Sequence, residues 1–403
     1  MQTKRLFLIL IAAIAAGFLW FGGMAPPQEN VETVLEHHWE RPIPFQGDPP
    51  HDFSDLEASL DPQSCAQCHA EQHADWQQSL HSETFSPGLR WQLALMSPEQ
   101  GQSCLKCHAP MSEQTALVAA ELDWAGAPQE APPAHVPRDL HRQGLACAAC
   151  HVRQHQRVGP PPRDPNIDPE QGPHGGFTAR AAFEDSRFCA ACHQFPEDGP
   201  RVNGKLRENT VVQWQQSRHA DEGRTCQNCH MPDRRHQWRG IHDPAMTASA
   251  LETAFLVDAN KVTVTVKNVG AGHHFPTYMV PEIALRLERV RQDGSRKALA
   301  REVIAWRANL ALTEEAFDTR IKSGETHTFE APLSTPLADD ESLELVMDVA
   351  PRRMYERIFE DYRQKQGDKL DPDVRALLTL SIAEARNSRY QRTLAYYPPR
   401  VAN

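Results

Sequence analysis

Hydrophobic and polar positions change their period along the chain, and each change marks a region. Leu6 to Met24 form an unbroken apolar run behind Lys4 and Arg5. Its length is close to the ~20 residues that a helix needs to cross a bilayer. The exit, Gly22-Gly23-Met24-Ala25 followed by Pro26-Pro27, is a poor cleavage site. Residues 1–26 therefore read as an N-terminal membrane anchor, with a cleaved signal and a soluble product as the alternative. The two cations stay inside and the rest of the chain lies outside the cytoplasmic membrane, in the periplasm. Residues 27–59 read as a linker. From 60 to 250 long apolar helical patterns are scarce, while prolines, glutamines and histidines are frequent.

After about residue 250 the period becomes two. KVTVTVKNV (261–269) alternates, and PEIALRLERV, KALAREVIAW, THTFEAPL and ESLELVMDVA follow as further strands. Turn signals such as Gln292-Asp293-Gly294 and Ser323-Gly324-Glu325 separate them. Residues 251–352 thus read as a small antiparallel β-sandwich. Within 353–403, residues 353–365 and 371–390 look helical, with Leu377, Leu378, Leu380, Ile382 and Ala385 giving the second helix an apolar face. The predicted fold class is α+β: a mostly helical and irregular first part, a sandwich, and C-terminal helices.

Composition narrows the function classes. The 403 residues are 40% hydrophobic and 24% charged, which is ordinary for folded protein and excludes a disordered chain. A formal net charge of −11 argues against nucleic acid as a partner.

The cysteines carry the chemistry. All ten fall in Cys-x-x-Cys-His units: Cys65/Cys68/His69, Cys104/Cys107/His108, Cys147/Cys150/His151, Cys189/Cys192/His193 and Cys226/Cys229/His230. Five disulfides, zinc sites or thioredoxin-like redox chemistry would also use paired cysteines. None of these explains a histidine directly after the second cysteine in all five units, whereas covalent c-type haem attachment requires it. The thiols add to the haem vinyl groups, and the adjacent histidine becomes the proximal iron ligand. Five covalently bound haems would also supply the apolar surface that residues 60–250 lack, so the chain need only wrap them.

A second axial ligand is the next requirement of a bis-histidine haem. WQQSLH (76–81) and WQQSRH (214–219) are nearly the same hexapeptide, one after the first motif and one before the fifth. Read as helix, the tryptophan and histidine lie on different faces, so the indole can anchor while His81 or His219 reaches an iron. His174 in GPHGGF, His242 in RGIHDP, His273 in GAGHHFPT and His141 before the third motif are further distal candidates. His37, His38, His51, His73, His135, His155, His236, His274 and His327 read as surface or propionate-contacting residues. Met111 and Met231 read as packing against haem edges.

CAACHVR (147–153), SRFCAACHQF (186–195), CQNCHMPDRRHQWRGIHDP (226–244) and NVGAGHHFPT (268–277) resemble segments of exported multihaem c-type cytochromes related to the tetrahaem cytochrome of ammonia oxidisers. The resemblance covers most of residues 60–280. It implies a mostly helical haem domain, mainly bis-histidine coordination and electron transfer, with His81, His219 and His273 as distal ligands. Five motifs in place of four, and the N-terminal anchor, depart from that pattern.

The expected function is stepwise electron transfer among five haems, between a redox-protein donor and an acceptor outside the cytoplasmic membrane, with no catalytic residue. The alternative is a reductase of small nitrogen compounds in which one iron keeps an open position. No motif is altered to CxxCK as in the pentahaem nitrite reductases, which weighs against it. A filament subunit is a third class, disfavoured by the anchor.

Overall fold

A computed structural model describes residues 30–398. The anchor reading at residues 6–24 lies outside these residues. Among the described residues no helix is long and apolar enough to cross a membrane.

The N-terminal half is built of short helices joined by turns, because few stretches between haem motifs carry enough apolar periodicity for a long one. Many begin at an explicit cap: Asp61 accepts from the Gln63 amide, and Ser86 and Ser97 precede prolines at the first helical turn. Residues 30–60 are not a linker. Val31–His38 is helical, Ile43 is fully buried, and the Ile43 amide donates to the Pro110 carbonyl at 2.7 Å. The apolar residues of this segment, Ile43 and Leu60, pack with Met111, Leu140 and Ala146.

The strand segments legible from alternation are present, as β2 (Lys261–Asn268), β3 (Glu282–Val290), β4 (Arg296–Ala308), β6 (Thr326–Pro332) and β7 (Ser342–Ala350). Three more complete the sandwich: β1 (Leu251–Val257), β5 (Glu315–Asp318) and β8 (Tyr390–Tyr397). One sheet has the order β5-β4-β3-β7-β8 and the other β6-β2-β1. Val262, Val264 and Val266 of β2 face Ile283, Leu285 and Leu287 of β3 and Leu343, Leu345 and Met347 of β7 across one apolar core. On the outer face of the larger sheet, Arg286 pairs with Asp348 at 3.1 Å, and Arg296 bridges Glu288 and Glu344 at 2.9 and 2.8 Å. These cross-strand pairs let Glu288 and Glu344 be buried without loss of partners. Leu285→Ala is expected to lower stability by ~2–5 kcal/mol in a denaturant titration, since the residue has no exposed surface. A cost below ~1 kcal/mol would show that this core is loosely packed.

The C-terminal residues are not helical throughout. Helices Arg353–Gln366 and Pro372–Asn387 are followed by β8, which pairs with β7 and returns the chain to the sheet. The two helices dock on the haem half: Phe359, Leu378 and Ile382 pack around Trp91 of helix Pro87–Leu93. Gly88 makes that approach possible, since a Cβ there would lie 3.2 Å from the Phe359 ring.

Candidate functional site: a shared cavity of cysteine and histidine pairs

All ten cysteines and the five motif histidines line one continuous cavity of about 2670 Å³. An ordinary ligand pocket measures roughly 300–1,000 Å³, so this space suits several large groups. Every cysteine is free. Leu56, Leu80 and Ile167 expose 39%, 44% and 54% of their surface, all of it on residues lining this cavity. Large apolar side chains, free thiols and imidazoles together fit covalently held haem, and do not fit a bare ion.

The motif helices are single turns. Cys147–His151 is framed by fully buried Ala146 and Ala149, which lets the turn sit against Ile43 and Leu140. Thiols of different motifs touch: Cys65 with Cys147, Cys107 with Cys192, and Cys189 with Cys226. The attachment points of the first and third, second and fourth, and fourth and fifth motifs are therefore neighbours.

Imidazoles meet in pairs across the cavity. Ring centroids are 6.3 Å apart for His193 and His81, 6.1 Å for His151 and His236, and 6.4 Å for His230 and His273. A metal ion held at ~2 Å by each of two facing imidazoles separates their centroids by a little over ~6 Å, so all three pairs have the spacing of two ligands on one iron. His174 lies within electrostatic reach of His69.

Hydrogen bonding also selects the nitrogen left for metal. A carbonyl only accepts, so an imidazole Nδ1 beside one must donate, and Nε2 then keeps its lone pair. Nδ1 meets a carbonyl in His108 (Thr84, 2.9 Å), His151 (Val158, 2.8 Å), His230 (Arg239, 2.6 Å), His174 (Gly176, 2.8 Å), His236 (Arg234, 2.9 Å) and His273 (His274, 2.8 Å). Burial disfavours the imidazolium and pushes His81 down to about 3 and His151, His193 and His273 to about 4. These rings are neutral at neutral pH, as ligands must be.

The paired hexapeptides share a structure, but it is not one continuous helix. Helix Ala70–Gln77 ends before His81, and in the second copy extended backbone at Ser217 separates Thr210–Gln215 from Arg218–Asp221. In both, the serine hydroxyl donates to the tryptophan carbonyl at 2.7 Å, which competes with the helix ladder and turns the chain. Each indole donates to a backbone carbonyl, Trp76 to Leu145 and Trp214 to Arg224. A glycine then lets the histidine segment close in. A Cβ on Gly144 would sit 2.6 Å from the His81 carbonyl, and one on Gly272 3.0 Å from the Trp214 ring. The two histidines nevertheless end differently. Both bury Nδ1 without a partner, but His81 faces His193, whereas His219 places Nε2 3.1 Å from the Val269 carbonyl.

The remaining candidates separate by position. His242 lines the cavity within electrostatic reach of Arg352. His141 lies outside it, with Nε2 2.6 Å from Glu121 and its ring edge-on to Phe85. Met231 lines the cavity, whereas Met111 is in the apolar cluster beneath it. His236 was not among the distal candidates drawn from sequence. The signal that could have found it is HQW at 236–238, because the Trp238 ring packs edge-on against both His81 and His236, at 4.5 and 5.1 Å.

Paired imidazoles beside CxxCH thiols are the ligand set that a multihaem c-type cytochrome requires. Comparison with known proteins supports that class. Residues 64–152 match the family of cytochrome c554 and c-prime. A penta-heme cytochrome c552 from Thermochromatium tepidum has a similar fold, with a TM-score of 0.52 over 85% of this chain and 98% of that one, at 18% identity. No curated protein matches the chain.

Proposed function

We propose that the chain is an extracytoplasmic pentahaem c-type cytochrome that passes electrons between a donor and an acceptor redox protein. The observation that carries this reading is the single cavity lined by five CxxCH motifs, in which the histidines of three motifs face a second imidazole at 6.1–6.4 Å. The haems would be held by the ten motif cysteines and by His69, His108, His151, His193 and His230. Distal ligands would be His174 for the haem of His69, His236 for that of His151, His81 for that of His193 and His273 for that of His230. Bound haem supplies one-electron redox chemistry, and this chain's part is to orient the ligands, exclude water and hold neighbouring attachment points in contact. The thiol contacts favour steps between the first and third, second and fourth, and fourth and fifth motifs. The apolar run Leu6–Met24 supports export, with anchoring at the periplasmic face of the cytoplasmic membrane or release as a soluble protein.

His108 favours a second reading, a haem with an open position. Its Nδ1 is fixed on the Thr84 carbonyl, and among the described residues no imidazole faces it at the spacing of the three measured pairs or lies within electrostatic reach of it, as His174 does of His69. Such a haem would let the same protein act on a small substrate, including the nitrogen compounds expected from the reductase alternative. Electron paramagnetic resonance of the oxidised holoprotein tests both readings together. Four low-spin haems and one high-spin haem are expected. Five low-spin haems, one of which turns high-spin in His242→Ala, would make His242 the missing ligand and leave a carrier alone.

A further inference from the structure

Near the second motif the cavity wall carries polar groups from three separate segments. Leu206–Thr210 brings Arg207 and Glu208, the loop after His273 brings Tyr278, and the start of helix Arg353–Gln366 brings Arg352 and Tyr355. All five line the cavity. The segments are tied together directly: the Thr210 and Thr277 hydroxyls are 2.7 Å apart, and the Met354 amide donates to the Val280 carbonyl at 3.0 Å. Tyr355 stacks on Phe359 at 5.8 Å, and Phe359 packs on Gly88 and Trp91, in the helix that precedes the second motif. Tyr355 also lies within electrostatic reach of Cys104, and Glu208 of Cys107, the two thiols of that motif.

These groups have donors to spare. Among the described residues neither the Tyr278 nor the Tyr355 hydroxyl has a hydrogen-bond partner, and Tyr355, which lines the cavity, is 43% exposed. The Arg207 Nε is buried without an acceptor. Arg352 meets Glu384 and Glu83 only at 3.5 and 3.7 Å, longer than a good charge-assisted hydrogen bond. An unpaired buried donor such as the Arg207 Nε is costly, whereas Tyr355 and Arg352 lie partly open. They are arranged to meet acceptors that the chain does not contain.

We propose that Tyr278, Tyr355, Arg207 and Arg352 form the second half of a binding site for a small oxyanion, the first half being the open face of the haem held by His108. An oxyanion suits the donor set because one atom can reach the iron while its remaining oxygens accept from the phenols and guanidinium groups. Burial raises both phenols above their ordinary range, so they remain O–H donors at neutral pH. The inference rests on the open-haem reading and adds to it the ligand class and the residues that recognise it.

Two ligands separate the inference from the reading beneath it. Carbon monoxide, neutral and small, needs only an open ferrous iron, so a carbon monoxide difference spectrum of the reduced holoprotein tests the open position alone. Inorganic nitrite, titrated into the oxidised holoprotein and followed by the optical and paramagnetic signature of the high-spin haem, tests the donors. Tyr278→Phe with Tyr355→Phe is expected to weaken nitrite at least ~10-fold, the loss of two ordinary hydrogen bonds, and to leave carbon monoxide binding unchanged. If the double variant fails to load five haems, Tyr355→Phe alone or Arg352→Gln carries the same expectation at ~3-fold or more. Binding of carbon monoxide with no binding of nitrite, or nitrite affinity unchanged in these variants, overturns the oxyanion site while the open haem stands. No carbon monoxide binding overturns both.

Discussion

Replacing Cys147 and Cys150 together with alanine is expected to give a protein that carries four haems and has lost much of the stability of its N-terminal half. The third motif is central: Ala146, Ala148 and Ala149 are buried with Ile43, Leu60, Met111 and Leu140, and Cys147 touches Cys65 of the first motif. One fifth of a cavity of about 2670 Å³, left empty, would cost about 13 kcal/mol at ~24 cal/mol per Å³. Water entering the space reduces that figure, but a third of it, about 4 kcal/mol, is already a large part of the ~5–15 kcal/mol that holds a domain together. Intact mass and pyridine haemochrome assay should show five haems in the parent and four in the variant, and a thermal melt should show the lost stability. A parent protein with the mass of the bare polypeptide would sink the haem reading altogether, and a variant that melts like its parent would show that the haem is not part of the core.

The C-terminal half was legible because its signals are local. Alternation in KVTVTVKNV and its neighbours places Val262, Val264 and Val266 on one face, and these are the residues the core buries. β8 escaped notice for a physical reason. Tyr390–Tyr397 is an edge strand whose ladder hydrogen bonds come from β7 alone, so its sequence need not alternate cleanly, and its mixed burial follows. The linker reading of 27–59 failed for a related one. Ile43 is buried by partners distant in sequence, Pro110 and Met111, which no local pattern reports.

At the site, the candidate attachment motifs were readable in the sequence, and which imidazoles face one another was not. Cys-x-x-Cys-His is a covalent requirement written within five residues, whereas a distal ligand needs only to arrive at the right place from anywhere in the chain. The hexapeptide repeat correctly marked a shared local structure, the serine hydroxyl on the tryptophan carbonyl, yet that structure leads His81 to another imidazole and His219 to a backbone oxygen. His141 and His236 are the sharpest contrast. Both are histidines close in sequence to a motif, His141 buried and His236 half-buried, and what separates them is whether the ring meets Glu121 or another histidine.

That contrast gives a prediction with two opposite halves. His236 holds its Nδ1 on the Arg234 carbonyl and faces His151 at 6.1 Å, and the segment that carries it is pinned by Arg235 on Asp75 at 2.6 Å. His236→Ala should therefore remove one axial ligand without unfolding the loop, turning one low-spin haem high-spin and adding a carbon monoxide site to the reduced protein. Axial ligation sets haem potential over a wide range, so that haem's midpoint should also move away from its parent value. His141→Ala should do the reverse. It should leave the optical and paramagnetic spectra as they were and lower stability by ~1–3 kcal/mol, because the Glu121 carboxylate loses a partner held at 2.6 Å. Resonance Raman or paramagnetic resonance on the two variants, with a denaturant titration of each, separates the outcomes. A high-spin signal in His141→Ala and none in His236→Ala would invert the ligand assignment and restore His141 as a distal ligand.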